Sequence, residues 1–242
     1  MKRLMIATAI TMIPSVGFAE QPVFGMMPRW ANGWGVQAQH EYQSLDDEAG
    51  HLLHLEGVYT WRRWIRLTYK IPWVLAAESA GTQTQSGLGT PVLALPLKKY
   101  FNRDGASGAW SLTPQVFLPI SRSEFGRKDH WAGLSLSYAK ETYRTATDLG
   151  FAGHLGAEGY PFEWHLHGGL GGKFYASDTF GILRLRSDLR FNHEGEYSLR
   201  VGPVVYARLS DRWHAQMSWK VSVLSQGFDE GHWVRSGFGM VF

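Results

Sequence analysis

His232-Trp233-Val234-Arg235-Ser236-Gly237-Phe238-Gly239-Met240-Val241-Phe242 decides how the chain is read. Val234, Phe238, Met240 and Phe242 share one side of a period-two repeat, and Trp233, Arg235, Gly237, Gly239 and Val241 share the other. Successive side chains of a strand point to opposite faces. The stretch therefore predicts a strand with one apolar face, one mixed small and basic face, and an aromatic last residue.

The same alternation recurs upstream. Trp213, Ala215, Met217, Trp219, Val221 and Val223 alternate with His214, Gln216, Ser218, Lys220 and Ser222. Leu199, Val201, Pro203, Val205, Ala207 and Leu209 oppose Ser198, Arg200, Gly202 and Arg208. Leu183, Leu185, Leu189 and Phe191 oppose Arg184, Arg186, Asp188 and Arg190, while Ile65, Leu67, Tyr69, Ile71 and Trp73 oppose Arg66, Thr68 and Lys70. Such patterning marks strands with two different surroundings. An arginine or lysine aimed at lipid at the bilayer midplane costs roughly 2–4 kcal/mol. The arginine face is therefore the lumen and the greasy face meets lipid.

Composition agrees. Aromatics make up 14% of the 242 residues, with 11 Trp and 28 Gly. No apolar run after position 19 approaches the roughly 18 residues of a helical span. The N-terminus reads as a secretory signal peptide over 1–19: Met1-Lys2-Arg3 is positive, Leu4 to Ile13 is apolar, Pro14 breaks the run, and Gly17-Phe18-Ala19 supplies small residues for cleavage. Two of the 24 basic residues belong to that peptide, leaving 22 against 21 acidic ones. A nearly neutral mature chain gives no electrostatic footprint for nucleic acid. Cysteine is absent, which excludes a lipoprotein anchor, disulfides and thiolate metal sites.

Segments near 33–42, 51–61, 64–75, 89–100, 109–120, 131–141, 147–157, 162–175, 180–192, 197–209, 213–225 and 232–242 give about twelve strands, an even number as single-chain bacterial barrels have. The predicted organisation is a signal peptide (1–19), a periplasmic lead (20–30) and an all-β, transmembrane, antiparallel up-and-down barrel (31–242). Short periplasmic turns are expected around Arg62-Arg63, 101–108, 142–146 and 210–212, and outer loops at 43–50, 76–88, 121–130, 158–161, 193–196 and 226–231. Trp34, Trp61, Trp64, Trp110 and Trp213 then form the periplasmic aromatic girdle, with Trp73, Trp131 and Trp164 nearer the outer one. Pro91, Pro96, Pro114, Pro119 and Pro203 fall inside predicted strands, where each removes a ladder donor. The Gly168–Gly172 run is expected to bend its strand.

Short turns let neighbouring hairpins be paired. Phe191 facing Tyr197 sets Asp188 against Arg200 and Arg186 against Gly202; Leu209 facing Trp213 sets Arg208 against His214 and Lys220 against Gly202. Same-face neighbours lie about 7 Å apart, so Arg184, Arg186 and Arg190 form a ladder. Arg66, Lys70, Arg200, Arg208, Lys220 and Arg235 extend a basic wall that includes Asp188. Guanidinium groups bind carboxylates bidentately, so the wall reads as a selectivity element for anionic solutes. The plainer reading is that these cations pair with Asp188, Glu163, Glu158 and Glu56 and fill a narrow lumen, as side chains do in small barrels.

His165 and His167 on one lumen face, with His154 and His214, raise a metal question. No partner is fixed at a matching level, so no metal or other cofactor is expected. Some outer-membrane barrels modify lipids through Ser and His on the outward surface. His40, the best such candidate, has no nucleophile beside it in sequence, and His54 with Glu56 is the lumen alternative. No catalytic residue is assigned, and the chain is not expected to be an enzyme.

The closing strand resembles that of bacterial outer-membrane β-barrels. Ser86-Gly87-Leu88-Gly89-Thr90-Pro91-Val92-Leu93-Ala94-Leu95-Pro96-Leu97-Lys98-Lys99-Tyr100 is similar to the Gly-Leu-Gly-Asp-Pro start of a strand in the outer-membrane family associated with meta-pathway phenol degradation, with Thr90 where that family has Asp. The resemblance implies passage of aromatic or other hydrophobic compounds. The expectation is a Gram-negative outer-membrane channel or transporter for small anionic or aromatic solutes. Its expected partners are outer-membrane lipids, the solute, and the barrel-assembly machinery acting on the C-terminal strand. The rivals are a lipid-modifying enzyme and a closed structural barrel.

Overall fold

The computed structural model describes residues 33–45, 48–79, 85–120, 125–126, 128–156, 162–176, 179–228 and 230–242. The expected signal peptide and lead lie outside these residues, as do Glu158 and much of the expected outer loops. Every described element is a strand: β1 (Gly33–Leu45), β2 (Glu48–Arg62), β3 (Ile65–Ser79), β4 (Gln85–Leu88), β5 (Val92–Ala94), β6 (Leu97–Arg103), β7 (Ala106–Phe117), β8 (Trp131–Glu141), β9 (Thr145–Gly156), β10 (Glu163–Ala176), β11 (Thr179–Asn192), β12 (Tyr197–Arg208), β13 (Trp213–Gln226) and β14 (Gly231–Val241). All pair antiparallel, and β14 returns to β1 from Gly35↔Val241 to Leu45↔Gly231. Two further bonds tie the ends: Trp34 N–H donates to the Phe242 carbonyl at 2.7 Å, and Phe242 N–H to the Trp34 carbonyl at 2.9 Å. The sheet is closed, so no edge presents unbonded backbone to lipid.

Twelve strands cross the wall, because β4, β5 and β6 are one strand in three pieces. All three pair with β3, and β5 and β6 pair with β7 on the other side. The interruptions fall at Gly89-Thr90-Pro91 and Leu95-Pro96, where proline lacks the amide hydrogen a ladder needs. Bonds bridge the gaps: Gly89 N–H to the Pro72 carbonyl (2.9 Å), Arg66 N–H to that of Pro96 (3.1 Å), and Leu118 N–H to that of Pro91 (2.8 Å). Pro114 stays inside β7 opposite Leu134, and Pro119 lies beyond its end. At one end the connections are tight. Asp104 and Gly105 both take positive φ (53° and 71°), the backbone of a two-residue hairpin whose twist matches the strands it joins.

The alternation predicts the faces. In β1, Gln37, Gln39, Glu41 and Gln43 are buried, and their neighbours Trp34, Val36, Ala38 and His40 are exposed. The same inversion of soluble-protein logic runs around the barrel: Leu183, Leu185, Met217, Trp219 and Phe238 lie on the outside, whereas Arg66, Arg186 and Lys220 are among the most buried residues. Trp34, Trp61, Trp64, Trp110 and Trp213 are exposed and mark the tight-turn end, as expected of an interfacial girdle. Trp73 is exposed towards the other end, and Trp164 lies against Phe151 and Phe162.

Trp131 corrects the expectation. It is buried inside, opposite Phe117 and in one cluster with Val92. The phase of β8 puts it on the same face as Ser135 and Ser137, which point inward. β10 passes through Gly168–Gly172 paired residue for residue with β11, with no shift in register. Its inward glycines leave room: a Cβ on Gly171 would collide with the Leu183 carbonyl and the Arg184 stem, and one on Gly169 would lie 2.7 Å from Asp148 Oδ1.

This division of labour is testable at adjacent positions. Gly171→Val should destabilise the barrel by about 1–3 kcal/mol, the cost of overpacking. Gly172→Val, on the lipid side with its nearest neighbour 3.9 Å away, should stay within about 0.5 kcal/mol of wild type. The urea midpoint of the refolded barrel, read from its heat-modifiable gel mobility, checks both.

Candidate functional site

The lumen face brings together the side chains expected of it and adds acceptors that were not anticipated. The hairpin registers agree with the sequence reading: Asp188 pairs with Arg200, Arg186 with Gly202 and Arg208 with His214. On this frame sit two carboxylate centres. Asp148, inward on β9, accepts from Arg184 Nη1 at 2.7 Å and lies 3.8 Å from Arg186 Nη1 and 3.7 Å from His167 Nε2. Glu41, inward on β1, accepts from Arg235 Nε at 2.7 Å, from Gln43 Nε2 at 2.5 Å, and bonds His54 Nε2 at 3.1 Å.

Other pairs complete the wall. Asp188 accepts from Arg186 Nε at 3.1 Å and lies 2.8 Å from Lys220 Nζ. Glu163 accepts from Arg190 Nη2 at 2.9 Å. Glu56 lies 3.5 Å from Lys70 Nζ and accepts from Gln39 Nε2 at 3.3 Å. Arg66 donates to the Tyr100 hydroxyl at 2.7 Å, and the Arg200 guanidinium lies over the Trp233 ring, 3.7 Å from its centroid. Buried charges are tolerable only when paired and hydrogen-bonded. The pairs also limit free lumen volume.

Large side chains find room beside small ones, as narrow barrels require. His167 lies against Gly150, His154 against Gly133, His214 against Gly239, and Arg184 against Gly171. His214 Nε2 bonds Gln37 Oε1 at 3.0 Å. His54 of the alternative His54–Glu56 couple is bonded to Glu41.

Arg208 departs from the expected wall. It lies at the tight-turn rim, where it is ion-paired with Asp211 of its own turn, and its guanidinium sits 6.0 Å from the Phe180 ring centroid. Lys173 and Glu141 form a second rim pair, 2.7 Å apart. The sequence reading also missed Asp148 and Glu41. Both occupy inward phases, and Glu41 follows Gln37 and Gln39 at period two, which is the signal that could have found it.

Among the described residues, one group offers metal ligands close to one another. His154, Glu163 and His165 are all buried, and one ligand atom from each lies within 4.8 Å of the others. Register makes this inevitable: Glu163 is directly opposite His154, and His165 is the next inward residue of β10. On the lipid side, Ser236 of β14 is directly opposite His40, a nucleophile type that local sequence did not reveal. His40 Nε2 bonds His51 Nδ1 at 3.1 Å, with the two rings stacked at 5.3 Å.

Solved structures with this architecture are outer-membrane barrels. An outer membrane channel from Pseudomonas putida F1 matches with TM-score 0.67 at 14% identity, over 90% of this chain and 98% of that one. KdgM porin matches with TM-score 0.59 at 11% identity, over 86% and 99%. NanC porin matches with TM-score 0.50 at 10% identity, over 86% and 98%. No protein-family model matches the chain, and no curated protein matches it in sequence. The fold is therefore a closed, twelve-stranded outer-membrane-type barrel.

The carboxylate centres can be weighed against the rim pair. Asp148→Ala removes the acceptor of Arg184 and the counter-charge of Arg186 and should cost about 3–5 kcal/mol, as loss of one partner of a buried ion pair does. Asp211→Ala at the exposed rim should change stability by less than about 0.5 kcal/mol. Urea unfolding of the two refolded variants checks the contrast.

Proposed function

We propose that this chain is an outer-membrane channel for small solutes carrying a carboxylate or similar anionic group. The observation that carries the reading is the charge count along the inner wall between the rims. Arg66, Lys70, Lys98, Arg184, Arg186, Arg190, Arg200, Lys220 and Arg235 are nine cations, against the five carboxylates Glu41, Glu56, Asp148, Glu163 and Asp188. Pairing leaves a positive surplus inside low-dielectric walls, which focus the field and concentrate anions. Arg190 and Arg200 line a small cavity with His165, His167, Asp188 and Ser198. There a carboxylate meets guanidinium groups that bind it bidentately.

The greasy exterior suits the outer membrane, and the closing strand suits recognition by the barrel-assembly machinery. The channels and porins that share the fold fit this reading. Dense ion pairing makes the resting pore narrow, so conduction depends on a few side chains rather than on an open tunnel.

A second reading has its own observation. Ser236, His40 and His51 lie on neighbouring strands of the lipid-facing surface. A serine beside a histidine that is itself held by another group is the arrangement of an activated nucleophile. It supports a lipid-modifying enzyme.

Planar-bilayer recordings separate the readings. The channel reading predicts anion-selective conductance, and a reversal potential in a salt gradient that moves towards cation selectivity in Arg200→Gln. Absent or cation-selective conductance overturns it. Phospholipid turnover that disappears in Ser236→Ala, with no current in either protein, establishes the enzyme instead.

A further inference from the structure

Glu163, counted above among the lumen carboxylates, also belongs to a histidine–carboxylate group at the end of β9 and the start of β10. His154 is the third residue from the end of β9, and Glu163 is the first of β10. The group therefore lies at the end of the barrel opposite the tight turns. One ring nitrogen from each histidine and one carboxylate oxygen lie within 4.8 Å of one another, and all three residues are buried. Zinc takes nitrogen ligands at about 2.0–2.1 Å and carboxylate oxygens at about 2.0–2.2 Å. Ligand atoms on one such ion are about 3–3.5 Å apart, so the three side chains would close on it by rotation from their present spacing.

The surroundings are those of ligands held in place from behind. The Gln115 amide is 2.5 Å from His154 Nε2, and with its oxygen turned to that nitrogen it accepts Nε2–H and orients the ring for binding through Nδ1. Arg190 holds Oε1 of Glu163 at 2.9 Å, while Oε2 lies 3.6 Å from His165 Nε2. Outer partners of this kind fix the tautomer and direction of metal-binding groups. The ring of Phe117 stands edge-on to His154, with centroids 5.3 Å apart, and shields the group on one side.

We propose that His154, Glu163 and His165 form a binding site for a divalent transition metal of the zinc type inside the outer end of the lumen. Two imidazoles and one carboxylate favour zinc, copper, nickel or cobalt over calcium or magnesium, which want oxygen ligands. The cations Arg190 and Arg200 nearby oppose a dipositive ion. They select further for metals whose bonds to imidazole are strong. Three protein ligands leave a position open, as in zinc sites that exchange a water or substrate group. His165 also lines the cavity with Arg190 and Arg200. A bound metal adds positive charge and a coordination position for an anion there, and it ties β9 to β10 across their connection.

The test is direct binding to the full barrel, folded in detergent, so it is independent of conductance. Isothermal titration with Zn²⁺ should show one site per chain, and Co²⁺ should develop the strong visible absorption of a four-coordinate nitrogen and oxygen site. His154→Ala, His165→Ala and Glu163→Gln should each lower affinity more than about tenfold, and Gln115→Leu by about 10-fold or more through the outer partner. His130→Ala, an exposed histidine elsewhere, should leave binding unchanged. Heat-modifiable mobility establishes that each variant is folded, and Glu163→Gln keeps the shape if an alanine variant fails. Absence of binding tighter than millimolar, or binding that survives in a folded His154→Ala/His165→Ala double variant, overturns the site. Either result leaves the channel reading untouched.

Discussion

A strand wall closed on itself within lipid gives a charged side chain one place to go. The outside penalises it by a few kcal/mol at the midplane. Outward charges such as Lys99 and Lys140 sit near the strand ends at the tight turns, and most charged residues of the spanning strands turn inward. There they must satisfy one another. Asp148 with Arg184 and Arg186, and Glu41 with Arg235 and His54, are the local solutions. The interior of this protein is polar and its surface is oily, and both follow from that single restriction.

Packing follows from the same crowding. Several large inward residues lie directly beside glycines. Gly150, Gly133 and Gly239 sit against His167, His154 and His214. The arrangement resembles a core in which ion pairs replace methyl groups. Such a core resists collapse, because moving one member leaves a charge without its neighbour.

Much of this was legible in the residues. The faces of β11, β12 and β13 could be assigned because lipid excludes charge, and their registers because the turns at 193–196 and 209–212 are short enough to fix pairing. Legibility failed where a longer connection intervened. Thirteen residues separate β7 from β8, so nothing local set the phase of Trp131. The six residues between β9 and β10 likewise hid the meeting of His154 with Glu163. Ser236 and His40 are far apart in sequence and meet only through closure of the barrel. Gly168–Gly172 read locally as a bend, because the bulk it accommodates belongs to other strands. Arg208 shared the phase of the lumen arginines, but phase gives no height along the axis, and its rim position came only with the structure.

The proline-broken crossing between β3 and β7 sets the barrel apart from an even cylinder. Its three pieces are laced to their neighbours by shorter ladders than any other crossing has, for instance three residue pairs between β5 and β7. Fewer consecutive ladder bonds leave less to break in a local opening, so amide exchange should be fastest along this sector. Lipid or solute leaving sideways from the interior would meet the least resistance there, as cloth parts first along a loosely sewn hem.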